Sequence, residues 1–179
     1  MRWLHDILKG RGPSMTALAT GKKAPDFSLK TLGGKQFSLS EALGRGPVLL
    51  AFFKISCPVC QYAFPFLERL YKAYKQKGYT LAGVSQNDAK ETAAFNKEFG
   101  VTFPVLLDDT RTYPVSNAYG LTNVPTLFWI ASESEIEISS VGWLKADFEE
   151  INRRMASVGN FSVVPVFKPD EEVADFRAG

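Results

Sequence analysis

Hydrophobic runs separated by short polar breaks divide the chain into alternating strand and helix segments. Residues 47–53 (PVLLAFF) form a continuous apolar run bounded by turn residues, the pattern of a strand covered on both faces. Beyond it, Phe64, Leu67, Leu70, Tyr71 and Tyr74 recur at three- and four-residue steps, which predicts a helix over about 57–77. Pro65 inside that helix predicts a kink, and Gly78 predicts its end. The next strand is expected at 79–85. Asp88 followed three residues later by Glu91 resembles a capping box with Asp in the Ser/Thr place, opening a helix over 89–99 that stops at Gly100. Further strands are expected at 105–107, 124–130 and 136–141, with helical stretches around 113–119 and over 145–155. Residues 35–39 alternate polar and apolar after the Gly33-Gly34 turn signal, which predicts one more short strand. Strands alternating with helices imply an α/β/α sandwich, with helices on both faces of a mixed central sheet.

The periodic pattern is confined to the middle of the chain. With 179 residues the length suits one domain. We expect an N-terminal extension over 1–20, the domain over 21–156, and an extended C-terminal tail over 157–179. Gly10, Gly12 and Pro13 break the first amphipathic turn. Pro165, Pro169 and the cluster Asp170-Glu171-Glu172 mark the tail as draped on the surface or partly disordered, with Val163, Val164, Val166 and Phe167 as its anchors. The apolar residues near the start are interrupted by charge, so neither a signal peptide nor a membrane span is expected. The expected compartment is the cytoplasm, or the periplasm if a leader has been removed.

Charge and composition narrow the chemistry. Twenty-one Lys and Arg against 19 Asp and Glu leave a net charge of +2, too balanced for a protein living on nucleic-acid phosphates. The glycine pairs Gly33-Gly34 and Gly44/Gly46 lack the spacing of a phosphate loop. A single histidine, His5, leaves no imidazole set for a metal and no obvious base for a nucleophile. The two cysteines, Cys57 and Cys60, stand two residues apart. They follow a predicted buried strand and open a predicted helix. The first thiol then meets the unpaired N–H groups and positive dipole end of that helix, both of which favour a thiolate below the ~8.5 of a free cysteine. Cys60, one turn further in, is the shielded resolving thiol. Pro58 occupies the first helical turn, where its missing N–H costs nothing. Two bland readings compete. Half a zinc site lacks its other ligands, since only His5 remains. An inert disulfide across so short a ring gains little chain entropy. Redox exchange through a mixed disulfide is therefore the favoured chemistry.

With these residues in view, the chain resembles the thioredoxin superfamily, in particular the TlpA/ResA-type thiol-disulfide oxidoreductases and related AhpC/TSA redoxins, over roughly 21–155. Ala24-Pro25-Asp26-Phe27 resembles the family's opening segment, and Cys57-Pro58-Val59-Cys60 its active-site motif. Pro65 matches the helix proline, residues 95–108 the inserted helix and strand, Val124-Pro125-Thr126 the cis-proline motif, and Val141-Gly142-Trp143 the late Val-Gly. The resemblance implies a thioredoxin-like fold and a disulfide reductase with Cys57 as nucleophile and Cys60 as resolver. It places Ser56, Pro58, Val124 and a cis Pro125 on the substrate side, with Val124 backbone pairing an extended substrate. It implies no metal or organic cofactor. The partners implied are protein or small-molecule disulfides and a thiol electron donor, without nucleic acid. Ser56 stands where a tryptophan is common, so a less aromatic contact surface is expected. Ala51 and Ala63 stand where relatives carry acidic residues, which leaves proton handling at Cys60 to water, to Lys54 or to another group. Two alternatives stay open. A thiol peroxidase needs a Pro-x-x-x-Thr-x-x-Cys frame, and Leu50 and Lys54 occupy its Pro and Thr places. A non-catalytic redox-sensing module would use the same pair as a switch.

Overall fold

The computed structural model describes residues 16–179; His5 and the glycine-broken opening turn lie outside the described residues. The centre is a five-stranded sheet. Its strands, in chain order, are β3 (Val48–Phe53), β4 (Thr80–Ser85), β5 (Val105–Leu107), β6 (Thr126–Ile130) and β7 (Ile136–Val141). Their order across the sheet is β5-β4-β3-β6-β7. The first three run parallel, while β6 and β7 are antiparallel to their neighbours. A hairpin of β1 (Ser28–Lys30) and β2 (Gln36–Ser38) precedes it. The sheet is thus mixed, as the alternation of elements requires.

Side chains of β3 alternate between two cores, as the two-residue period of a strand dictates. Leu49, Ala51 and Phe53 face α2 (Pro58–Tyr74), α3 (Ala89–Phe99) and α5 (Lys145–Gly159). Val48, Leu50 and Phe52 face α1 (Leu39–Leu43) and α4 (Pro114–Ala118). Every residue of β3 is buried, which explains why its sequence is a continuous run rather than an alternation. The first core is strongly aromatic: Trp143 packs at 4.3 Å from Phe148 and 4.9 Å from Tyr62, centroid to centroid. Among the described residues no helix is long and apolar enough to cross a membrane.

Several element ends differ from expectation, each for a local reason. Helix α1, only five residues long, begins at Leu39, where the alternating pattern predicts the end of a strand. Its N-cap is Ser38, whose hydroxyl accepts the Glu41 N–H at 3.4 Å. Helix α2 runs through Pro65 and ends at Tyr74 rather than Lys77, because Lys75 and Gln76 turn left-handed at φ 52° and 50°. Gly78 therefore does not cap the helix. Its φ is 81°, and a Cβ there would lie 2.4 Å from the Val158 carbonyl, so it permits a close passage against α5. Helix α3 starts on Asp88, which accepts the Glu91 N–H at 2.8 Å, and stops at left-handed Gly100, both as expected. Helix α5 continues past Met155 to Gly159.

The tail is more ordered than its composition suggests. Val166 is buried in the aromatic core. The Arg69 guanidinium holds the Glu171 carboxylate through two hydrogen bonds of 2.7 and 2.8 Å. Trp143 Nε1 donates to the Ala174 carbonyl at 2.6 Å. The chain then adds a two-residue strand, β9 (Phe176–Arg177), antiparallel to β8 (Trp143–Leu144).

Candidate active site

The loop between β3 and α2 is fixed by side chains that hold its backbone. Ile55 N–H donates to Asn87 Oδ1 at 3.1 Å, and Gln61 Nε2 donates back to the Ile55 carbonyl at 2.9 Å. Cys57 N–H closes a turn onto the Lys54 carbonyl at 3.2 Å. The chain thereby delivers Cys57 as the N-cap of α2, with Pro58 as the first helical residue.

The first sulfur has two partners. Its Sγ accepts the Cys60 N–H at 3.2 Å, one of the amides that a helix start leaves unpaired. It also donates to the Val124 carbonyl at 3.2 Å. Both cysteines are free thiols. Cys57 is half-buried, whereas Cys60 is 0 % exposed. Burial pushes the Cys60 thiol far up from its ordinary range, and its hydrogen bond with Cys57 pushes the same way. The pair is therefore asymmetric: one sulfur open to a partner, the other shielded and protonated.

The structure brings together most of the residues singled out from the sequence. Ser56 and Pro58 are exposed on either side of Cys57. The Val124–Pro125 peptide is cis, Pro125 is buried, and Val124 is half-buried against the sulfur. Ala51 and Ala63 are buried in the apolar core. The buried carboxylates of Glu68 and Asp108 are engaged elsewhere, with Thr102 N–H at 2.9 Å and Ser116 N–H at 2.8 Å respectively. Lys54 places its ammonium 5.9 Å from the Tyr113 ring centre. It lines a cavity of about 170 Å³ shared with Gln86, Asn123 and Val124.

Other contributors to the site carry little or no sequence signal. Asn87 and Gln61 hold the loop, but their bonds span 32 and six residues and leave no spacing signal. Gly142 was noted only as part of a motif. A Cβ there would lie 2.6 Å from the Arg177 carbonyl and 3.0 Å from the Gly179 nitrogen. The end of the tail is another. Asn123 Nδ2 donates to Gly179 O at 3.0 Å, and a Cβ on Gly179 would lie 2.6 Å from the same Val124 carbonyl that Cys57 contacts.

Comparison with known proteins extends these observations. The AhpC/TSA family model matches residues 20–139. The thiol-disulfide oxidoreductase ResA of Geobacillus kaustophilus is 35 % identical over 144 residues, covering 80 % of each chain. The ResA of Bacillus subtilis is 35 % identical over 121 residues, 67 % of this chain and 66 % of that one. Among solved structures, a thiol:disulfide interchange protein of the thioredoxin family from Chlorobium tepidum superposes with a TM-score of 0.63 at 28 % identity, over 78 % of this chain and 99 % of that one.

Proposed function

The chain belongs to the AhpC/TSA family, as a ResA/TlpA-like redoxin and thiol-disulfide oxidoreductase, and from that premise we propose that Cys57 is its nucleophile and Cys60 its resolving thiol. The observation that carries the assignment is the unequal setting of the two sulfurs. Cys57 is half-buried at a helix start with an N–H aimed at it, and Cys60 is enclosed one turn behind.

In the reducing direction Cys57, as thiolate, attacks one sulfur of a substrate disulfide. The substrate S–S bond breaks, the departing sulfur takes a proton, and a mixed disulfide with Cys57 forms. Cys60 then loses its proton and attacks the Cys57 sulfur. The second substrate sulfur leaves as a thiol, and the enzyme keeps a Cys57–Cys60 disulfide. Two electrons pass to the substrate, and a donor thiol system restores the pair. No cofactor takes part in these steps. The reverse sequence oxidises a substrate dithiol, with the sign set by the difference in potentials. Val124 and Pro125 form the wall beside the attacking sulfur, and exposed Ser56 and Pro58 flank its open side.

The test is a pair of serine variants assayed with a recycling reductant on a small disulfide and on insulin. Cys57→Ser reduces turnover of both to background. Cys60→Ser attacks once and stops, leaving a substrate adduct on Cys57 that mass spectrometry detects. Turnover that survives Cys57→Ser overturns the assignment.

A further inference from the structure

The wall beside Cys57 is already occupied by the chain's own tail. After Glu171 the segment passes Tyr62, whose hydroxyl accepts the Ala174 N–H at 3.2 Å. It then pairs with β8, Arg177 opposite Trp143 and Phe176 opposite Leu144. It ends against Gly142 and Val124, as the short Cβ approaches at Gly142 and Gly179 record. Resting on the reading of Cys57 as nucleophile, we propose that residues 176–179 are a resident strand that holds this track against an extended polypeptide disulfide. Such a substrate adds as a strand along β8 toward Val124 and must first displace residues 176–179.

Three observations support displacement of this segment in particular. The first is position. Val124 O accepts from Cys57 Sγ, and Gly179 packs on that carbonyl, so a polypeptide in extended form cannot pair with Val124 while the tail stays. The second is how the segment is held. Residues 175–179 are all exposed, with Phe176 60 % exposed, so little apolar burial opposes their release. Their hold is a two-residue strand pair, the Lys145 N–H on the Asp175 carbonyl at 3.0 Å, the Asn123–Gly179 hydrogen bond and the Arg177 guanidinium 3.9 Å from the Tyr62 ring centre. The third is what stays behind. Upstream, Val166 is buried and Glu171 is clamped by Arg69, so the tail opens from about Asp175 without losing its root. The tail itself demonstrates that the track accepts a strand with exposed side chains, which suits a polypeptide of varied sequence: backbone pairing supplies the affinity.

The experiment compares full-length wild type and Arg177→Ala on insulin and on a small disulfide. Arg177 is exposed, and its guanidinium rests on the Tyr62 ring. Release of its cation–π contact is expected to lower KM for insulin about three- to tenfold with kcat unchanged, and to leave the small-disulfide rate within about twofold. A chain ending at Ala174 reproduces the gain, and a synthetic peptide of the sequence VADFRAG added to it restores the higher KM. Wild-type turnover of the small disulfide with an unaltered or raised KM for insulin in Arg177→Ala overturns the inference and leaves the oxidoreductase reading standing. Absence of turnover of both substrates by wild type overturns that reading instead.

Discussion

At the scale of single residues, the proposed chemistry depends on two identical side chains in unlike surroundings. Cys57 is reachable, while Cys60 has no exposed surface and its thiol is driven upward by burial. A raised thiol pKa keeps the proton on through the neutral range, so Cys60 stays uncharged where an exposed cysteine ionises. Iodoacetamide at pH 8 is therefore expected to place one adduct on the folded, reduced protein, at Cys57. Cys57→Ser is expected to take none until denaturant is added. Peptide mapping that finds Cys60 modified in the folded protein contradicts this. The two cysteines were legible in the sequence because their relation is local: four residues at a strand-to-helix junction define it. The residues that hold the junction were not, since Asn87 reaches Ile55 from another loop by a contact that no periodicity encodes.

At the scale of elements, the tail is held in ways its composition does not show. Its prolines and acidic cluster read as an extended tail, draped on the surface or partly disordered. The structure uses one member of that cluster, Glu171, as the anchor. Two hydrogen bonds from Arg69 and one from the Lys168 N–H hold its carboxyl down at about 2. The unfolded value is about 4.3, so the contribution to stability is complete above that pH and is lost as the pH falls through about 2. Glu171→Gln is expected to melt a few degrees below wild type at pH 6, with the gap narrowing as the pH falls from about 4.3 toward about 2. A gap independent of pH assigns the loss to shape rather than charge. Charge composition alone was misleading here because the partner, Arg69, lies 102 residues away on α2. Element ends set by nearby caps, such as Asp88 and Gly100, were legible. The end of α2 was not, because non-glycine residues Lys75 and Gln76 take the left-handed turn there.

At the scale of the molecule, β3 divides two cores, and the aromatic one joins the sheet, α2, α5 and the tail. Trp143 is its hub: fully buried, packed tilted on Phe148 and Phe66 and edge-on to Tyr62, and bonded to the tail at Ala174. Trp143→Ala is expected to cost about 3–5 kcal/mol in denaturant unfolding, and to expose residues 172–179 to protease before the rest of the chain. A loss below about 1 kcal/mol contradicts its central place. The α/β/α layering followed from hydrophobic runs because each strand is buried as a unit. The return of residues 176–179 to the rim around Cys57 did not, being a matter of two paired residues. That return has a kinetic meaning. A segment rooted at Arg69 is present at its own binding track at an effective concentration on the order of millimolar, whatever the dilution of the protein. Any free strand arrives at far lower concentration, so it displaces the resident only by binding much more tightly per molecule. The protein thus carries its own affinity threshold, and weak encounters with passing polypeptides are filtered before any sulfur is touched.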